Sequence, residues 1–204
     1  MEIGQKLIKT QRRIGLTGGI ASGKTTISKY IKTKIKIPIL DADILSKELI
    51  KPETYAYEQI LAYFGNQIID KHSSKQVINR KLLRNIIFEE KEHREWIQKL
   101  LHPLIREKMI EGCNHYKKNK VILLVIPLLF EAKFTDICTE IWLVKCPEEI
   151  QIKRIIERDK ISKKEALKII NSQVKYDEKT KLSDIILDNS NNLKQWQKKI
   201  KELF

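Results

Sequence analysis

Few stretches limit what a chain can fold into as sharply as "GLTGGIASGKTT", Gly15 to Thr26. Gly18, Gly23, Lys24 and Thr25 satisfy G-x-x-x-x-G-K-[ST]. The apolar strand signal "RRIGL" precedes them, and "KTTISKYIKTK" follows at helical spacing through Ile27 and Ile31. Strand, glycine-rich loop and helix in that order direct backbone N–H groups at an anion. Gly18, Gly19, Ile20, Ala21, Ser22, Gly23, Lys24, Thr25 and Thr26 are therefore expected to form a loop that binds a nucleoside triphosphate. The lysine reaches the outer phosphates, and the Thr25 hydroxyl is placed to ligate magnesium.

The rest of the pattern supplies a sheet for this loop. "IKIPILDAD" reads as a second strand ending in two carboxylates, with a helix opening at "ILSKELI". From Glu53 to Lys118 the pattern is almost wholly helical, with turn signals at "GNQIIDKHSS" and at the proline of "LHPLIREKM". "VILLVIPLLF" is continuously apolar, as a parallel strand buried on both faces must be, and Pro127 ends it. "EIWLVKC" is another strand, and Pro147 opens the helix "EEIQIKRIIERD". "KKEALKIINSQVKY" reads as one helix capped by Ser162, "SDIILDNS" as the last strand and "NLKQWQKKIKELF" as the closing helix. Alternating strands and helices predict an α/β fold, a parallel sheet covered on both faces.

A formal charge of +14 raises the question of a polyanionic partner. Only 8 of the 40 basic residues are arginines, and the lysines are scattered instead of gathered in a stripe with aromatics between them, so neither nucleic acid nor a membrane is the expected partner. No apolar run approaches the roughly 18 to 20 residues that span a bilayer, and "MEIGQKLIKTQRR" has no apolar leader; a cytoplasmic protein is expected. Cys113, Cys138 and Cys146 follow no disulfide or zinc spacing and are expected to be reduced. No heptad seam argues for a strong oligomer, which leaves a monomer or weak homo-oligomer.

No N-K-x-D or downstream D-x-x-G signals a GTPase switch, and the strand Val121 to Ile126 ends without the aspartate of a motor ATPase. A small kinase using ATP and Mg2+ remains, and it needs an acceptor site. Asp41 and Asp43 sit at the end of the second strand, where the chain leaves extended geometry and carboxylates can enter the crevice above the sheet. Asp43 is expected to orient and deprotonate the acceptor hydroxyl, with Asp41 the outer magnesium partner; the alternative for Asp43 is a helix cap. Gln151, Arg154 and Arg158 share a helix face, either solvated or carried on a mobile segment that neutralises the transferring phosphate. His102 and Arg106 stand at the expected start of a helix, and Arg80 and Arg84 share another face, where salt bridges to Glu89 or Glu90 are an alternative to ligand contact.

Taken together, "TGGIASGKTT", "DADILSKELI", "NRKLLRNIIF", "LHPLIR", "IPLLFE", "QIKRIIERD", "NSQ" and "DIILDNS" resemble the dephospho-CoA kinase family, in order and over nearly the whole chain. The resemblance implies a P-loop NTPase three-layer α/β/α fold with a helical substrate-binding insertion and a lid. In that scheme 1–50, 119–148 and 176–204 form the nucleotide-binding core, 51–118 the CoA-binding domain and 149–175 the lid. It implies transfer of the ATP γ-phosphate to the ribose 3'-hydroxyl of dephospho-CoA, the small-molecule partner. Lys24 and Arg154 then act in catalysis with Asp43, and Arg158 joins the ATP site. Asp43, Arg80, His102, Arg106 and Glu131 would line the acceptor side, and Thr25 and Asp41 would hold the metal. Ala21 stands where the family usually has another glycine, inside the variable part of the loop, a change expected to be harmless. Two other readings are a P-loop kinase for a different nucleotide or small alcohol, and an ATP-gated or basic nucleic-acid-binding protein.

Overall fold

The computed structural model describes residues 7, 10–70, 73, 76–190 and 193–204, so most of "MEIGQKLIKTQRR" and part of "GNQIIDKHSS" lie outside the described residues. The chain divides into two compact units, Met1–Asp41 with Ile110–Phe204, and Ala42–Met109.

The first unit is built on five parallel strands: β1 (Arg12–Gly18), β2 (Ile39–Asp41), β3 (Val121–Val125), β4 (Glu140–Lys145) and β5 (Ile185–Asp188), in the order β2-β3-β1-β4-β5. Strand β1 is central, with Leu16 opposite Val125 of β3 and Gly18 opposite Val144 of β4. The chain crosses to one side of β1 for β2 and β3 and to the other for β4 and β5, so the loop leaving β1 sits at the point where the strand order reverses.

Alternate strand residues explain the layers. Ile14, Leu16, Leu123, Val125, Trp142, Val144 and Leu187 meet Ile27 and Ile31 from α1 (Lys24–Tyr30) and its π-helical extension (Ile31–Ile35), and Trp196 and Ile200 from α9 (Leu193–Leu203). Burial of an apolar side chain of this size is worth about 1.5–3 kcal/mol, so Trp196 and Ile200 suffice to anchor the otherwise lysine-rich α9. Arg12 fastens the end of that helix by donating to the Leu203 carbonyl (2.9 Å) while pairing with Glu140. On the opposite face, an added Cβ at Gly15 would come within 2.6 Å of Cys138 Sγ and 2.8 Å of Leu129, and one at Gly112 within 2.6 Å of Leu40. Helices and loops therefore cover both faces.

The second unit is helical: α2 (Ala42–Leu49), α3 (Tyr55–Phe64), α4 (Arg80–Glu89) and the first part of α5 (Lys91–His115), around Ile60, Phe64, Ile68, Ile78, Leu83 and Ile97. Thr54 and Asn79 cap α3 and α4 through the N–H groups of Tyr57 and Leu82. Back in the first unit, α6 (Glu148–Asp159), α7 (Lys163–Asn171) and α8 (Tyr176–Lys181) lie between β4 and β5. Among the described residues no helix is long and apolar enough to cross a membrane.

Three local expectations are corrected. The strand carrying the two aspartates stops at Asp41; Ala42 is already helical, so Asp43 lies in the first turn of α2, where the helix dipole favours a carboxylate. Pro103 lies inside the 25-residue α5, and His102 and Arg106 are mid-helix. An interior proline costs about 3 kcal/mol, less than the burial of Ile97, Ile105 and Met109 along one face of the same helix returns. The helix expected over "KKEALKIINSQVKY" breaks into α7 and α8 at 172–175, and the freed backbone and side chains find partners elsewhere.

Candidate functional site

Strand β1 ends in a loop whose shape requires its glycines. Gly23 has φ 99°, a left-handed conformation, and a Cβ there would overlap Asn189 Nδ2 at 2.0 Å. A Cβ on Gly18 would press on Ser22 Oγ and the Val144 carbonyl, both at 2.8 Å. The loop closes with Ser22 N–H donating to the Gly19 carbonyl (3.2 Å), and α1 starts with Thr26 and Ile27 donating to Gly23. The Lys24 ammonium donates to the carbonyls of Gly18 and Gly19, both at 2.9 Å, which holds it across the mouth of the loop. Thr25 and Thr26 follow with exposed side chains.

Residues far away in sequence hold the loop from outside. Asn189, 7% exposed and just past β5, donates to the Ser22 carbonyl (2.8 Å) while its backbone N–H pairs with Lys145. Arg154 on α6 donates to the Ala21 carbonyl (3.1 Å) and to Cys146 Sγ (3.4 Å). Gln151, one turn earlier, donates to the Cys146 carbonyl (2.8 Å) and lies against Gly19. Burial raises the Cys146 thiol above its usual pKa against the pull of Arg154, so the sulfur meets the guanidinium as a neutral group. Arg158, on the same helix, is exposed and makes a two-pronged contact with its neighbour Asp159 (2.9 and 2.8 Å).

Ala21 has φ 56°, where an L residue is strained by about 1–2 kcal/mol, so its position is not neutral as the sequence suggested. Its methyl group and Ile20 pack against Ile152, Ile155 and Ala166, the small core shared by α6 and α7. Ser162 and Glu165 form a complete capping box at the start of α7.

Asp41, half-buried, closes β2 opposite Val125. Among the described residues no three His, Cys, Asp or Glu side chains gather as a metal cage. Glu131, in the loop after β3, takes the Val174 N–H on Oε1 (3.0 Å), with the Lys179 ammonium 2.9 Å from the same oxygen. In the helical unit, Asp43 is exposed in the first turn of α2, Arg80 is the exposed first residue of α4, and Arg84 follows one turn later. His102 and Arg106 are half-buried one turn apart on α5, and burial lowers the His102 pKa and favours neutral imidazole. The donor loop, Asp41, Glu131, Arg154 and Arg158 thus belong to one unit, and Asp43, Arg80, His102 and Arg106 to the other.

Asn189, Gln173 and Lys179 received no role from the sequence. "DNS" and "NSQ" were part of the family pattern, but only a fold that returns them to the loop shows what the amides do.

The dephospho-CoA kinase family model matches residues 12–195. The chain is 66% identical over 204 residues to a dephospho-CoA kinase of Prochlorococcus marinus (strain MIT 9312), covering 100% of both chains. Among solved structures, TT1252 from Thermus thermophilus superposes with a TM-score of 0.79 at 25% identity, over 96% of this chain and 97% of that one. A dephospho-CoA kinase from Campylobacter jejuni superposes with a TM-score of 0.68 at 28% identity, over 94% of each chain.

Proposed function

The chain belongs to the dephospho-CoA kinase family, and we propose that it transfers the γ-phosphoryl group of ATP to the ribose 3'-hydroxyl of dephospho-CoA, giving coenzyme A and ADP, the last step of coenzyme A synthesis. The single observation that carries this reading is identity of 66% to a dephospho-CoA kinase over the full length of both chains.

The donor half of the reaction follows from the loop. Its N–H groups and Lys24 receive the triphosphate, and the ammonium, now on the Gly18 and Gly19 carbonyls, needs only to exchange those oxygens for phosphate. Arg154 adds charge beside the loop, stabilising negative charge as it spreads over the transferring group. Arg158 joins by releasing Asp159 for a phosphate oxygen. Thr25, whose hydroxyl is exposed beside Lys24, and Asp41 are oxygen donors of the kind magnesium accepts alongside phosphates and water, and we assign them to hold it. When bound it supplies neutralisation of the phosphate oxygens.

On the acceptor side Asp43 orients the hydroxyl and takes its proton. Arg80 and Arg106 offer permanent cations to the phosphates of dephospho-CoA, whereas His102, its charge disfavoured by burial, offers a hydrogen bond. In this reading 51–118 binds dephospho-CoA, 149–175 is a lid that shields the transfer from water, and the remainder is the core. The protein acts in the cytoplasm as a monomer or weak homo-oligomer.

Incubation with magnesium ATP and dephospho-CoA, with AMP as an alternative acceptor, tests the proposal by mass spectrometry of products. Coenzyme A and ADP are expected in equal amounts. Phosphorylation of AMP with dephospho-CoA untouched would overturn it.

A further inference from the structure

The break between α7 and α8 places two consecutive residues against two different parts of the nucleotide unit. Gln173 Oε1 accepts the N–H of Ile20 in the phosphate loop at 2.9 Å, and the Val174 N–H donates to Glu131 Oε1 at 3.0 Å. On α8, Lys179 is 2% exposed and reaches the same carboxylate at 2.9 Å. Ser172 turns the chain off the helix by donating its hydroxyl to the Ile169 carbonyl (2.7 Å).

These contacts form a chain of support. A buried ammonium costs several kcal/mol unless it is paired, so Lys179 and Glu131 hold one another in place. The paired carboxylate fixes Val174, which leaves Gln173 little freedom except to face Ile20. The Ile20 N–H belongs to the strained part of the loop, next to Ala21 at φ 56°, and a strained backbone persists only where its surroundings over-determine it. Around Ile20 and Ala21 those surroundings are the Gln173 amide oxygen, the Arg154 guanidinium and the apolar core of α6 and α7. Glu131 Oε2 and Tyr176 Oη are buried without a hydrogen-bond partner among the described residues, and the buried Lys179 ammonium has Glu131 Oε1 at 2.9 Å as its ion-pair partner.

We propose that Gln173 is a positioning residue for the phosphate donor, presetting the loop through the Ile20 N–H, and that the Glu131–Lys179 pair keeps it aimed. This rests on the kinase reading above and gives Glu131 a supporting task in place of contact with the acceptor. The interaction is made equally before and during transfer, so its loss weakens ATP binding without slowing the chemical step.

Glu131 is a poor first target, because removing it strands the Lys179 charge and endangers folding. Gln173→Met keeps the length of the side chain and removes the acceptor; Gln173→Glu keeps an acceptor. Amide exchange of Ile20 in the full chain without nucleotide, ATP affinity by calorimetry, and kcat and KM for both substrates form the test. In Gln173→Met, Ile20 exchange is expected to accelerate and the Kd and KM for ATP to rise about 3- to 10-fold, the worth of one hydrogen bond, with kcat and the KM for dephospho-CoA nearly unchanged. Gln173→Glu should restore Ile20 protection. The proposal falls if Ile20 exchange is unchanged in Gln173→Met, if Gln173→Glu fails to protect it, or if both KM values rise together with a loss of thermal stability. Should the wild-type protein leave dephospho-CoA untouched, the acceptor assignment fails alone, since Ile20 exchange and ATP affinity still decide the role of Gln173.

Discussion

The phosphate loop and the helices proposed to carry the acceptor residues would solve two recognition problems by different means. In the loop the working groups are mostly backbone, and their positions are held by Asn189, Arg154 and Gln173, each more than 130 residues away in sequence. In the helical unit the candidate groups are side chains, Asp43 and Arg80 among them, exposed at the first turns of α2 and α4. In the proposed reading a triphosphate would meet a prebuilt cradle, whereas the acceptor would meet side chains presented by helices, among them Arg80 just after the Asn79 cap of α4. Damage to the groups that hold the first region should therefore spread to loop geometry and ATP affinity, and damage to the second should stay with one substrate.

Apart from removal of the proposed acceptor base, the largest effect expected from breaking this division comes from Lys24→Ala. Loss of a preorganised charged donor should lower kcat about 10²- to 10³-fold, measured by coenzyme A formation, with thermal stability close to that of the unaltered protein. Arg106→Ala sharpens the other side: the KM for dephospho-CoA should rise about tenfold or more, as for one charged hydrogen bond lost, while the Kd for ATP by calorimetry stays unchanged. The smallest effect belongs to Ala21→Gly. Relief of a left-handed alanine is worth about 1–2 kcal/mol and is opposed by about 0.4–1 kcal/mol of added freedom in the unfolded chain, so a net gain between about zero and about 1.6 kcal/mol is expected in urea unfolding. A clear loss of stability would show that the methyl group packed on α6 and α7 outweighs the strain.

Much of the donor half was legible because its determinants are contiguous. Gly18, Gly23 and Lys24 occupy one short motif, and the ten-residue apolar run from Val121 to Phe130 announces an interior strand of the sheet, β3, beside the central β1. The positions of Asp43 and Pro103 were misjudged for opposite reasons. The helix that carries Asp43 begins two residues sooner than the strand pattern suggests, and the proline stop signal at Pro103 is overridden by apolar burial along α5. Least legible were the outer supports. Gln173 belongs to the family pattern through "NSQ", but no local period gives it a task, which exists only once the fold returns it to Ile20. Strain at Ala21 was invisible for the same reason: φ is a property of the closed loop, not of the residue.

The division between a backbone-built donor site and a side-chain-built acceptor site is tested most directly in Asp43→Ala, by titrating ATP calorimetrically and measuring coenzyme A formation on the same sample. The account predicts ATP affinity equal to that of the unaltered protein and a fall in coenzyme A formation of about 10²- to 10⁴-fold, the usual worth of a positioned base. Coenzyme A formation at the unaltered rate, or ATP affinity lost along with turnover, would contradict it.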